Sequence, residues 1–153
     1  MDEIVKPKPY LTELKIIEQA QGCIMHGIKA AEDSYTGFGE AYFSTVNFGM
    51  IKGWKLHKKM TLNLIVPHGD IRFVVYDASK DELSGEVLPI IDVILGQQNY
   101  SRLTVPPGFW VAFQGVSIGF NILLNIADIE HDPEESINRP IESFNVQGFN
   151  QNE

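Results

Sequence analysis

The run Lys52-Gly53-Trp54-Lys55-Leu56-His57-Lys58-Lys59 sets one histidine among four lysines. Strand alternation puts Lys55, His57 and Lys59 on one face and Trp54 and Leu56 on the other. An ordinary imidazole titrates near neutrality and suits the removal of a proton. A lysine ammonium is ordinarily too basic for that task, but it matches an oxyanion. Glu40, Tyr42 and Ser44 share a face of an earlier stretch by the same alternation. If both faces point inward these side chains converge. A phenol there donates a proton where a phenylalanine cannot. The catalytic expectation is therefore His57 as base, Lys55 as oxyanion partner and Tyr42 as acid.

Four positive charges in eight residues of a chain whose net charge is −8 argue for an anionic ligand, with diphosphate the natural choice. Lys52 and Lys59 are the expected cationic contacts, with Arg72, at an i, i+2 position to Val74 and Tyr76, as a further reach toward phosphate. Glu40, Ser44 and Asn63 are the expected polar contacts, and Trp110, with Tyr35, could stack on a base or sugar face. Plainer readings stand beside these. His57 or Lys55 could simply pair with Glu40, Tyr42 could meet a backbone carbonyl, the lysines could be a solvated strand end, and Trp110 could be core. His26, His68 and His131 fall near turns or strand ends and join no constellation.

At 153 residues, 44% apolar and 21% charged, the composition suits one globular domain. The acidic balance opposes nucleic-acid binding, which depends on phosphate neutralisation. The longest apolar runs, Leu62 to Val66 and Ile118 to Ile126, are far below the roughly 20 residues of a membrane helix, so no membrane partner is expected. The opening Met1-Asp2-Glu3 carries acid where a secretory leader carries base, and Cys23 stands alone, which together lead us to expect a cytoplasmic protein.

Positioning those side chains falls to short alternating segments between turn signals, the pattern of an all-β sandwich or barrel. Strands are expected at 14–17, 23–28, 39–46, 50–57, 61–66, 71–76, 87–95, 101–105, 110–115 and 120–127. Pro67-His68-Gly69, Ser84-Gly85, Pro106-Pro107-Gly108 and the stretch from Gly115 to Gly119 supply the breaks. Residues 1–13, with Pro7 and Pro9, read as an N-terminal arm, 14–140 as the domain, and 141–153 as a flexible tail. The acidic stretch from Asp128 to Glu135 reads as a surface loop with one helical turn from Pro133.

Gly39-Glu40-Ala41-Tyr42-Phe43-Ser44, Ile51-Lys52-Gly53-Trp54, the stretch from Gly69 to Asp77, Leu103-Thr104-Val105-Pro106-Pro107-Gly108-Phe109-Trp110 and Leu123-Leu124-Asn125 follow one another in an order that resembles the dTDP-4-dehydrorhamnose 3,5-epimerase-like (RmlC-like) family. The likeness runs over roughly 14–140. It implies a cupin, or jelly-roll, barrel and a homodimer with exchanged strands. It also implies a nucleotide-diphosphate sugar as ligand, a 4-keto-6-deoxy sugar epimerised or keto-isomerised by proton abstraction next to the ketone. By this resemblance Lys55 holds the place of a barrel-facing histidine, Val111 that of a second histidine, Ile129 that of a tyrosine acid and Gln21 that of an arginine. The metal-binding use of a jelly roll would place ligands at Lys55, His57, Met60 to Leu62 and Val111. One donor of four holds no metal, so no metal and no cofactor are expected. A catalytically silent sugar-nucleotide binder, an accessory subunit and a barrel packed shut remain the alternatives.

Overall fold

The computed structural model describes residues 7–79 and 87–149. Residues 1–6 of the expected arm, the Ser84-Gly85 turn and residues 150–153 of the expected tail lie outside the described residues. The strands are β1 Tyr10–Glu13, β2 Ile16–Gln19, β3 Gly22–Met25, β4 Glu40–Asn47, β5 Ile51–His57, β6 Leu62–His68, β7 Asp70–Asp77, β8 Ile91–Gly96, β9 Ser101–Val105, β10 Phe109–Gly115, β11 Phe120–Ala127 and β12 Ser136–Asn138. They form two antiparallel five-stranded sheets, ordered β1-β9-β6-β11-β4 and β12-β5-β10-β7-β8, beside a separate β2–β3 hairpin. This is the expected all-β jelly roll. The expected strand 14–17 starts later, as β2 from Ile16, and a further strand, β1, forms within the expected arm and lies on β9, with Tyr10 opposite Thr104.

Alternation explains what each face buries. Leu62, Leu64 and Val66 of β6, Ile71, Phe73 and Val75 of β7, Leu103 and Val105 of β9, and Leu123 of β11 meet between the sheets. Their neighbours point outward. On the first sheet, Asn63, Arg102 and Thr104 lie under the segment that carries Gly27, Glu32 and Ser34. Arg102 is fully buried there and donates to the Gly27 carbonyl at 2.5 Å, to Glu32 at 2.9 Å and to Ser34 at 3.1 Å.

On the second sheet the outward residues Trp54, Leu56, Val74, Tyr76 and Trp110 form a separate apolar cluster. Residues 141–149, expected within a flexible tail, instead cover it. Phe144 stacks on Tyr76 with ring centroids 4.3 Å apart, Phe149 packs 5.9 Å from Trp54, and the Trp54 indole donates to the Ile141 carbonyl at 3.0 Å. The buried Phe149 contributes about 2 kcal/mol. Phe144, Val146 and Phe149 lie in a polar stretch without periodicity, so only the apolar face waiting for them shows that Phe149 is buried and the other two pack beside it.

Turns hold the sheets in register. The β6–β7 reversal passes through Gly69 at φ +81°, where an added Cβ would stand 2.2 Å from Asn121 Oδ1. That backbone angle and that space both require glycine.

Candidate active site

A cavity of about 470 Å³ opens between the sheets, of a size usual for small-ligand sites. Its apolar wall consists of Ile51, Leu62, Leu64, Val111, Phe113, Leu123 and Ile141, and its polar groups are Tyr42, Ser44, Lys52, Lys55, His57, Asn125 and Asn138. β4 and β11 of the first sheet bring Tyr42, Ser44 and Asn125. β5 of the second brings the lysines and the histidine.

A bulge in β5 decides which lysines arrive. Leu56 faces Trp110 and Lys55 faces Val111, but Lys52 faces Phe113, so three steps along β5 match two along β10. Gly53 sits in the bulge at φ +135°, and a Cβ there would stand 2.5 Å from the Ala112 Cβ. Lys52 and Lys55 are three residues apart, a spacing that strict alternation assigns to opposite faces, yet both line the cavity. The Lys52 ammonium donates to the Thr45 carbonyl at 2.7 Å. The Lys55 ammonium has no hydrogen bond or ion pair to another described residue, so its expected alternative partner, Glu40, does not hold it.

His57 also lacks the expected contact with Glu40. Its Nδ1 meets the carboxylate of Glu135, whose side chain is only 3% exposed. The second Glu135 oxygen accepts the backbone N–H groups of Lys59 at 3.2 Å and Met60 at 3.3 Å. Burial raises the Glu135 carboxyl, but the bond from His57 and the two backbone donors outweigh it and hold the group below the ordinary glutamate range. An ionised Glu135 keeps the proton on Nδ1 of His57, which leaves Nε2 with a free lone pair. Glu135 closes the turn Pro133–Glu135, which is capped by Asp132, and the following Ser136 pairs with His57 in the β12–β5 ladder. The expected helical turn from Pro133 is present, whereas its expected surface character fails at Glu135.

On the facing wall, Tyr42 meets no backbone carbonyl among the described residues. Asn125 Nδ2 donates to its hydroxyl oxygen at 3.1 Å. Asn63, expected as a ligand contact, points out of the cavity because Leu62 and Leu64 on either side point in. Its side chain bonds the Ser34 carbonyl at 3.0 Å and Thr104 at 2.7 Å.

Other expected contacts also lie elsewhere. Arg72 shares the outward parity of Val74 and Tyr76, forms a two-pronged pair with Asp92 at 2.8 Å for each bond, and donates to the Gln147 carbonyl at 2.9 Å. Trp110 is 3% exposed in the outer cluster, with the Arg139 guanidinium 4.5 Å above its ring, so it is core and stacks on nothing in the cavity. Lys59 follows the end of β5 and is exposed, and Glu40 begins β4 opposite Ala127, with neither among the lining residues. Glu135, Asn125 and Asn138 are the site residues that sequence reasoning missed. The Asp132-Pro133 turn start and the Leu123-Leu124-Asn125 motif were the available signals, and neither says which side chain turns inward.

No family model and no curated protein matches the chain. Among solved structures, it is similar to a dTDP sugar isomerase from Desulfovibrio desulfuricans G20, at 33% identity over 86% of this chain and 83% of that one, with a TM-score of 0.78. It shares the fold of the sugar 3,4-ketoisomerase QdtA from Thermoanaerobacterium thermosaccharolyticum, at 18% identity over 89% and 91% of the two chains and a TM-score of 0.69. The fold recurs in the dTDP-6-deoxy-D-glucose-3,5-epimerase RmlC from Legionella pneumophila Philadelphia 1, at 20% identity over 85% and 71%, with a TM-score of 0.72. The jelly roll, the Lys-Gly-Trp bulge strand and a third of the residues shared along most of a dTDP sugar isomerase make this chain a member of the RmlC-like, dTDP-4-dehydrorhamnose 3,5-epimerase-like cupin family.

Proposed function

We propose that the protein epimerises or keto-isomerises a nucleotide-linked 4-keto-6-deoxy sugar in deoxysugar biosynthesis. One observation carries the reading: a histidine oriented by a buried carboxylate faces, across a single cavity, a tyrosine whose oxygen already accepts a hydrogen bond. Nε2 of His57 takes the proton from the carbon next to the ketone. The C–H electron pair moves into a carbon–carbon double bond, and the carbonyl oxygen becomes an enolate facing the Lys55 ammonium. Tyr42 returns a proton from the β4 wall, and the cycle closes when the phenolate is reprotonated from solvent and the His57 imidazolium releases its proton to solvent. Lys52 and Ser44 at the same cavity serve the diphosphate and sugar hydroxyls, while the aliphatic wall suits a methyl group at C6.

The reading includes one catalytic domain over 14–140, a cytoplasmic location and a homodimer with exchanged strands. Exposed Tyr10, Leu11, Ile17 and Ile24 on β1 to β3 support the dimer, because a lone hairpin with uncovered apolar residues is marginal in water. The deciding experiment incubates the protein in deuterated water with dTDP-, CDP- and GDP-4-keto-6-deoxy sugars and follows deuterium at the carbons flanking the ketone. Wash-in is expected with one of them. Calorimetric binding without wash-in would instead identify a silent sugar-nucleotide binder.

A further inference from the structure

Beneath the site a chain of amides runs from the outer face of the first sheet to the Tyr42 hydroxyl. Thr104 donates to Asn63 Oδ1 at 2.7 Å, and Asn63 Nδ2 donates to the Ser34 carbonyl at 3.0 Å, which fixes that residue on β6. The Asn63 backbone N–H then donates to Asn125 Oδ1 at 3.3 Å. A backbone N–H can only donate, so the Asn125 oxygen must face it and the amide nitrogen must face Tyr42. That nitrogen donates to Tyr42 Oη at 3.1 Å. With Asn125 2% exposed and buried beside β6, the arrangement has no room to reverse. The Tyr42 proton has no acceptor among the described residues, and with Asn125 donating to its oxygen the hydroxyl is free to turn that proton to the cavity it lines.

We propose that Asn125 is a positioning residue that, through this one-way amide chain, aims the Tyr42 proton at the substrate and so governs the protonation half of the reaction. The inference rests on the proposed epimerase or isomerase function. It assigns Asn125 no contact with the reacting carbon, whose proton is taken on the opposite wall by His57. The charged groups around Tyr42 are Lys52, Lys55 and His57 from β5 and Glu40 on its own strand, and none of them is bonded to the phenol.

The test separates two half-reactions. Deuterium wash-in to recovered substrate reports proton removal and return at His57, and product formation reports delivery from Tyr42. In Asn125→Asp the carboxylate still accepts the Asn63 N–H but offers no donor, so Tyr42 turns its proton onto it and away from the cavity. Product formation is expected to fall about 100-fold, as in Tyr42→Phe, the usual worth of a positioned acid, while wash-in stays within about threefold. Asn125→Ala removes the aim without reversing it and should lower the product-to-wash-in ratio about fivefold, the worth of one neutral hydrogen bond. A packing role would damage both half-reactions in parallel and make alanine at least as harmful as aspartate. Either result overturns the proposal. Should the buried carboxylate prevent folding, the Asn125→Ala ratio decides alone, and an unchanged ratio overturns it. Absence of wash-in by the unaltered protein would defeat the proposed function itself, whereas wash-in with unaltered ratios in the variants defeats only the role of Asn125.

Discussion

Replacing Glu135 by glutamine tests the site at its most constrained point. The substitution keeps size and shape, so the consequence follows from hydrogen-bond direction alone. One Glu135 oxygen accepts two backbone N–H groups, from Lys59 at 3.2 Å and Met60 at 3.3 Å, and those donors cannot be turned into acceptors. The glutamine oxygen must therefore remain there, which presents its NH₂ group to Nδ1 of His57. Nδ1 then has to accept, the ring proton moves to Nε2, and the nitrogen facing the cavity is no longer a base. A base held in the wrong tautomer loses at least about 100-fold in rate, roughly 2.7 kcal/mol of barrier. Deuterium wash-in measures this directly, because the affected step is proton removal.

Glu135→Gln also has a stability signature. The Glu135 carboxyl is held below its ordinary range by bonds that outweigh its burial. A group whose folded pKa is depressed stabilises the fold above its unfolded pKa and loses that contribution as pH falls through the lower folded value. The glutamine variant lacks this titration, so its acid-side loss of stability below the ordinary glutamate range should be shallower in urea titrations at stepped pH. Wash-in within threefold of the unaltered protein, with the fold intact, would refute the dyad.

His57→Ala and Lys55→Ala should each lower turnover at least about 100-fold, the usual worth of a positioned acid or base, and near-normal turnover in both would refute their roles. Arg72→Ala should leave dTDP affinity within about twofold by calorimetry, under half a kcal/mol, because the guanidinium is bound to Asp92 outside the cavity. A larger loss would return Arg72 to the ligand. Phe149→Ala should cost about 3 kcal/mol in thermal or urea unfolding without changing turnover, because the ring fills the cluster around Trp54. An unchanged melting temperature would show that the segment after residue 140 contributes nothing.

Much of the frame is legible in the sequence because it follows from local rules. Period-two alternation correctly sets Lys55 and His57 against Trp54 and Leu56, and it brings Tyr42 and Ser44 to the facing wall. Gly69 and Pro106-Pro107-Gly108 mark real turns. Alternation fails at Lys52, which shares the cavity with Lys55 through one extra residue in β5, and a bulge of that kind depends on pairing with β10. Polarity, not parity, misleads at Asn63 and Arg72, which alternation turns outward to partners outside the barrel.

The residue types, their parity within a strand and the all-β class were determined by the sequence itself, because a strand's two faces are set by covalent geometry, while the jelly roll was implied by the family resemblance. Only the tertiary structure decided that Glu135, rather than Glu40 or the adjacent Glu134, orients His57, and that Asn125 holds Tyr42. Those pairings join residues 78 and 83 positions apart, and no local preference encodes a contact made by the closing of two sheets.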